Sequence, residues 1–364
     1  MNSSSRRNRR CSSTRNALLI SAAVTAASAG AAVAGYGIYR RLRTRESLAG
    51  KVVLITGGSR GLGLALAQEF ASRGALIAIC ARDAEELQSA KALLSSGGGR
   101  VFTKVCDVSV QDEVVELVNA VTEHFGRIDV LVNNAGIITV GPLESQTLTE
   151  FQEAMDIMYW GTVYPSLAAL PQMRSRGRGN IVNVTSIGGK VSVPHLLPYC
   201  GAKFAAVGFS EGLRSETAKD GIEVTTIVPG LMRTGSHQRA SFKGKHEKEY
   251  TWFALGAALP GVSIGARRAA RKIVSAVQLG KAEVVLTPQA KLMTRFHGVF
   301  PAVTARIFGV VNRMLPSAEG DPRQRWLGRE SKTAVTQSFL TKLGRDAARE
   351  LNQQSGREGR VKAS

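Results

Sequence analysis

Tyr199 and Lys203 stand four residues apart in the run Pro198-Tyr199-Cys200-Gly201-Ala202-Lys203. On a helix that spacing puts both side chains on one face. An ammonium beside a phenol stabilises the tyrosinate and lowers the phenol pKa, which suits a group that exchanges a proton near neutral pH. Ser186 closes an apolar run just upstream and could hydrogen-bond a substrate oxygen, so Ser186 and Tyr199 are also the expected substrate contacts. Alone, Tyr and Lys at this spacing are common and structural. A second cluster gives the pair its meaning: Thr56-Gly57-Gly58-Ser59-Arg60-Gly61-Leu62-Gly63. Glycines let the backbone approach a pyrophosphate, and a helix N-terminus offers unpaired N–H groups and a positive dipole end. The spacing is Gly-x-x-x-Gly-x-Gly, not the more familiar Gly-x-Gly-x-x-Gly. A third clue is an absence. Where an acid would bind the adenosine ribose of NAD, the chain reads Cys80-Ala81-Arg82. Arg82, with Arg60 nearby, favours NADP as the cofactor. The plainer alternative is that Arg82 begins an exposed helix turn with Asp83 as its N-cap.

These residues need elements to carry them. Lys51–Thr56 is a short apolar run that ends in glycines, which reads as a buried strand. Gly61–Arg73 repeats apolar residues at helical spacing. Strands follow at 75–80, 101–105, 129–133, 180–185, 222–228 and 282–286. Helices alternate with them at 84–94, 109–125, 147–173, 198–219 and 267–279. Pro165 and Pro171 are expected to bend or end the helical stretch 147–173. Strands alternating with helices imply an α/β fold: a doubly wound, Rossmann-like, parallel sheet of seven strands with helices on both faces. Its ligand should lie at the carboxyl ends of the strands. The stretch 233–265 reads as basic and less regular. Phe296–Leu315 is apolar with Arg306 and Arg313 inside it, which fits a helix lying on lipid or packing on the domain.

The net charge of +20 is unevenly placed. Residues 1–50 hold nine Arg and one Glu, whereas 51–232 hold fifteen basic and eighteen acidic residues. Residues 233–272 hold nine basic against two acidic. A nucleic-acid reader puts its charge on the folded core, so the flanking charge and the lack of a reading motif exclude that class. Ala17–Tyr39 is uncharged for 23 residues between arginine clusters. That length spans a bilayer as a helix. The expectation is a single-pass N-terminal anchor with the catalytic domain cytoplasmic, the alternatives being a cleaved signal peptide or a buried helix. The division expected is therefore 1–47 (basic N-terminus and anchor), 48–287 (nucleotide-binding domain), 288–351 (helical, membrane-associated C-terminal extension) and 352–364 (disordered tail). Four cysteines without a close pair or CxxC argue against a disulfide scaffold or zinc ribbon. His195 reads as a surface residue, and His237 and His246 make no metal site.

Taken together, the motifs resemble the short-chain dehydrogenase/reductase family in its single-domain branch, over roughly Leu48–Leu286. The resemblance rests on the glycine cluster, Asp107-Val108, Asn133-Asn134-Ala135-Gly136, Ser186, Tyr199/Lys203 and Pro229-Gly230 with Thr234. It implies an NADP site in which Asp107 and Val108 contact adenine and Asn133 supports the central strand. It implies that Ala135 and Gly136 also border the cofactor, that Lys203 binds the nicotinamide ribose, and that Pro229, Gly230 and Thr234 line the nicotinamide end. It also implies a homodimer or tetramer. One position departs from the family. Met158 stands where relatives carry an Asn that holds a water beside the lysine.

The expectation is an NADP(H)-dependent oxidoreductase that interconverts a carbonyl and an alcohol. Leu196, Leu197, Leu231 and Met232 flank the site and suggest a hydrophobic substrate, with membrane lipid as a further partner. The rival class is a nucleotide-binding sensor or scaffold without turnover, for which Met158 is the support.

Overall fold

The computed structural model describes residues 45–258, 262–338 and 341–353. Its centre is a parallel sheet of seven strands: β1 (Val52–Thr56), β2 (Leu76–Ala81), β3 (Val101–Val105), β4 (Val130–Asn133), β5 (Gly179–Val184), β6 (Ile222–Val228) and β7 (Glu283–Val285). Their order across the sheet is β7-β6-β5-β4-β1-β2-β3. The order reverses at β1, between β2 and β4, and a crevice opens there at the carboxyl ends. Every residue of β1 and β4 is buried, as central strands covered on both faces must be.

Helices cover the two faces. Helices α1 (Gly61–Ala71), α2 (Ala84–Ser95) and α8 (Ala266–Gln278) share one core with Val53, Ile55, Ile77 and Ile79. Helices α3 (Gln111–Phe125), α5 (Gly161–Ser175) and α6 (Leu197–Thr217) share the other with Val52, Leu54, Leu131 and Ile181. Alternate β1 residues thus enter opposite cores, as the two-residue period of a strand requires.

The long helix expected at 147–173 is interrupted. Helix α4 (Leu148–Met155) passes into a π-helical turn at Asp156–Trp160 before α5 begins. Pro165 and Pro171 lie inside α5 and do not end it. The stretch 233–265 is also more ordered than its composition suggests, since it contains α7 (His246–Ala258).

The chain beyond β7 folds back on the domain. It contains α9 (Pro288–Val299), α10 (Pro301–Met314), α11 (Ala334–Gln337) and α12 (Lys342–Glu350). Phe296–Leu315, expected as one helix, is broken at Phe300-Pro301, where Pro301 opens α10. Trp326-Leu327 pairs antiparallel with Ser241-Phe242, which pairs in parallel with Thr139-Val140. Beneath this small sheet, Glu150 accepts from Lys243 Nζ at 2.5 Å and Arg325 Nε at 2.8 Å. These partners hold its carboxyl at about 2 against the cost of burial. Basic residues of the flanks thus pair with acids of the central block.

Three expectations need correction. The membrane location finds no support: among the described residues no helix is long and apolar enough to cross a membrane. The span expected at 17–39 lies outside the described residues. His195 is not on the surface; it is buried with positive φ, and its Nδ1 lies 2.7 Å from Glu249 Oε1. Asn352 and Gln353, expected to begin a disordered tail, are buried against the glycine turn, while 354–364 lie outside the described residues.

Candidate active site and nucleotide cleft

A cleft of about 600 Å³ runs along the carboxyl ends of the strands. Its floor is the glycine turn between β1 and α1. Gly61 has φ +56, a conformation that favours glycine. A Cβ on Gly63 would lie 2.1 Å from the Gly57 carbonyl oxygen, so the helix can start this close to the turn only without a side chain. Helix α1 has no side-chain N-cap at Arg60, which leaves its opening N–H groups to other partners. The turn is braced from β4: Asn134 Nδ2 donates to the carbonyls of Thr56 and Gly57, at 3.0 and 3.1 Å.

Of the residues singled out in the sequence, Gly57, Ser59, Arg60, Gly61, Leu62, Gly63, Arg82, Asp107, Val108, Ala135, Gly136, Tyr199, Lys203 and Thr234 line this cleft. Asn133 does not. It is buried behind the site, and its Nδ2 donates to Asn183 Oδ1 at 2.8 Å and Ser166 Oγ at 2.9 Å, tying β4 to β5 and α5. Pro229 and Gly230 are also absent from the lining, as is Ser186, whose neighbour Thr185 is part of it. Pro229 accepts from Ile187 N–H at 2.7 Å, and Gly230 lies against Thr287. Pro229 and Gly230 sit behind the loop that carries Ser186. Asn133, Pro229 and Gly230 thus support the walls of the cleft.

At the β2 end, charge is packed against charge. Glu86, 2% exposed, accepts from Arg60 Nη1 at 2.7 and 2.9 Å, from Arg239 Nη2 at 2.9 Å and from Ser59 Oγ at 3.2 Å. Arg82 is 59% exposed and lies 3.7 Å from Asp107. Asp83 caps α2 by accepting from Glu86 N–H at 2.9 Å, so both sequence readings of Arg82-Asp83 coexist: a helix start and a guanidinium at the cleft. Arg239 and Glu86 were not foreseen. They lie 153 residues apart and no local spacing joins them.

At the other end, α6 carries Tyr199 and Lys203 one turn apart, and Lys203 Nζ lies 6.0 Å from the Tyr199 ring centre. Lys203 is buried and donates to the Val184 carbonyl at the end of β5, at 2.9 Å. Ser186 follows that strand, accepts from Gly188 N–H at 3.0 Å, and stands beside the Tyr199 phenol, whose ionised form it favours. The three side chains therefore converge. Their ionisation differs from the simple expectation. Burial pushes the phenol up to about 12 against the lowering effect of Ser186, and pushes the Lys203 ammonium down to about 8. Desolvation is the largest influence on both groups. Met158 is 1% exposed and packs with Ala154, Ala202 and Tyr199. Its carbonyl accepts from Thr162 Oγ1 at 2.9 Å.

The fold agrees with comparison to known proteins. The model of the short chain dehydrogenase family matches residues 51–243, more than half of the chain. A Mycobacterium tuberculosis protein called oxidoreductase SadH is 32% identical over 277 residues, covering 75% of this chain and 96% of its own. An Arabidopsis thaliana 11-beta-hydroxysteroid dehydrogenase 1A is 37% identical over 204 residues, covering 56% and 58% of the two chains. The crystal structure of a Streptomyces avermitilis short-chain dehydrogenase superposes with a TM-score of 0.62 at 30% identity, over 72% of this chain and 98% of its own. The protein belongs to the short-chain dehydrogenase family of oxidoreductases, whose members use NAD or NADP. The residues present fit such a dinucleotide: a side-chain-free turn at a helix start, cationic groups at the β2 end and a tyrosine–lysine pair at the other.

Proposed function

We propose that the protein is an NADP(H)-dependent oxidoreductase that interconverts a ketone or aldehyde with an alcohol on an apolar substrate. The observation that supports this most is a cleft with Tyr199 and Lys203 at one end, Ser186 beside Tyr199, and Arg60, Arg82 and Arg239 at the other end. The end of β2, where a ribose-binding carboxylate would favour NAD, is Ala81-Arg82.

When bound, the nicotinamide supplies the hydride chemistry. The protein's own groups handle the proton and the orientation. Ser186 Oγ hydrogen-bonds the substrate oxygen and holds it towards Tyr199. The Tyr199 phenol gives its proton to that oxygen in reduction and takes it back in oxidation. A phenol held at about 12 is protonated at neutral pH, which suits the donor role. The Lys203 ammonium steadies the phenolate left behind and reaches the cofactor ribose, as the family resemblance implies. Ile137, Ile138, Ile157 and Met232 line the cleft and suit an apolar substrate. The relative named as a hydroxysteroid dehydrogenase is consistent with that class.

The test is a panel of apolar ketones and aldehydes with NADPH or NADH, followed at the nicotinamide absorbance. The expected result is turnover with NADPH that Tyr199→Phe removes while NADPH binding persists. Nucleotide binding without turnover on any carbonyl or alcohol would favour the sensor reading, for which buried Met158 beside Lys203 is the supporting observation.

A further inference from the structure

One wall of the cleft comes from outside the region matched by the family. Helix α12 delivers Leu351, Asn352 and Gln353 to the glycine turn, nearly 300 residues away in sequence. The Gly61 N–H, first of α1, donates to the Leu351 carbonyl at 2.9 Å. Asn352 Nδ2 donates to the carbonyls of Ser59 at 3.0 Å and Glu86 at 3.2 Å, while its Oδ1 accepts from Ser89 Oγ at 3.2 Å. Asn352 has φ +57, a left-handed conformation that asparagine tolerates better than most residues. It turns the chain so that Gln353 enters the cleft.

The backbone of Gln353 is tied at both ends. Its N–H donates to the Ala348 carbonyl at 2.9 Å, and its carbonyl accepts from Arg239 Nε at 3.2 Å. The side chain lies directly against Gly61: Nε2 is 2.6 Å from where a Cβ on that glycine would stand. Gln353 is 5% exposed and lines the cleft, yet its Oε1 has no hydrogen-bond partner among the described residues. A buried acceptor left unpaired loses its hydration without compensation. Here the orphan sits beside the turn that would meet a pyrophosphate, so a ligand at that turn would complete it.

We propose that Gln353 is a nucleotide-binding residue whose carboxamide hydrogen-bonds the diphosphate and ribose portion of the bound dinucleotide, with Leu351–Gln353 as the strap that holds it in place. The proposal rests on the nucleotide-binding reading above. Nε2 is a donor for a phosphate oxygen, and Oε1 an acceptor for a sugar hydroxyl. Because the strap closes one wall of the cleft, the same contacts retard release of the nucleotide.

The test uses the full chain, with Gln353→Ala and the similarly sized Gln353→Met, which keeps the packing and removes the hydrogen bonds. NADPH affinity is read from nicotinamide fluorescence and its release rate from displacement by excess NADP, with the melting temperature of the unliganded proteins as the control for folding. Both variants should bind NADPH about tenfold more weakly, mainly through faster release, with melting unchanged. Unchanged or tighter binding in Gln353→Met would overturn the proposal and leave the nucleotide-binding reading intact. Failure of the unaltered protein to bind NADPH or NADH would overturn both.

Discussion

The two ends of the cleft handle charge in opposite ways. At the β2 end a buried carboxylate, Glu86, accepts from two guanidiniums and a hydroxyl, so Glu86, Arg60 and Arg239 each have a charged partner within 2.9 Å. At the catalytic end the titratable pair is set by burial: Tyr199 goes up to about 12 and Lys203 comes down to about 8. A compensated site can lose one charge and rearrange its remaining partners. A desolvated site depends on each group being present in one protonation state. Substitutions at the β2 end should therefore change which nucleotide binds, and substitutions at the catalytic end whether anything turns over.

The sharpest way to break this contrast is Tyr199→Phe, which deletes one hydroxyl from the desolvated end. Turnover should fall by roughly 10²–10⁴ while NADPH affinity is nearly unchanged. Steady-state rates and a fluorescence titration on the same preparation check both halves. Retained turnover would remove the functional distinction between the ends.

Changing pH probes the same end without mutation. Lys203 loses its proton as pH rises through about 8. Carbonyl reduction should therefore decline above that pH, approaching tenfold per unit if one proton controls the step. The stability effect has the opposite sign. The folded pKa lies below the ordinary 10.5, so the ammonium disfavours the fold at and below pH 8, and that penalty fades between about 8 and 10.5. Lys203→Met should abolish both trends, measured as a pH–rate profile and as melting temperature against pH.

Much of this was legible locally. The glycine turn, Tyr199/Lys203 and Ser186 lie at fixed offsets within single strand–turn–helix units, and all seven strands of the sheet follow from apolar runs bounded by turns. Partners brought together by the fold were not legible. Glu86 reads as an ordinary acid in the first turn of a helix, yet the turn at Ser59-Arg60 and the chain at Arg239 close over it. His195 looked exposed because its partner Glu249 arrives from α7, 54 residues later. The π-turn at Asp156–Trp160 has no local signature, and the two prolines drew the expected break too far along the chain. Gln353 was hidden in a polar tail whose composition resembles a disordered one.

Two smaller effects sharpen the comparison. Glu86→Gln removes a carboxylate from the β2 end and leaves Arg60 and Arg239 less neutralised. NADPH should bind roughly threefold tighter and NADH about as before, with some loss of melting temperature. Met158→Asn places a donor and acceptor beside Lys203 where a thioether can order little water. Turnover should rise by about threefold, less than 1 kcal/mol of barrier, with NADPH affinity unaltered. If that variant loses substrate affinity and gains no rate, Met158 serves to pack the apolar pocket.

The choice of NADP(H) is tested most directly by titrating the unaltered protein with NADPH and with NADH under one buffer condition. Arg82 and its neighbours at the end of β2 predict that NADPH binds at least about tenfold tighter, a difference of about 1.4 kcal/mol that a charge-assisted phosphate contact readily supplies. Equal affinity, or a preference for NADH, would contradict it.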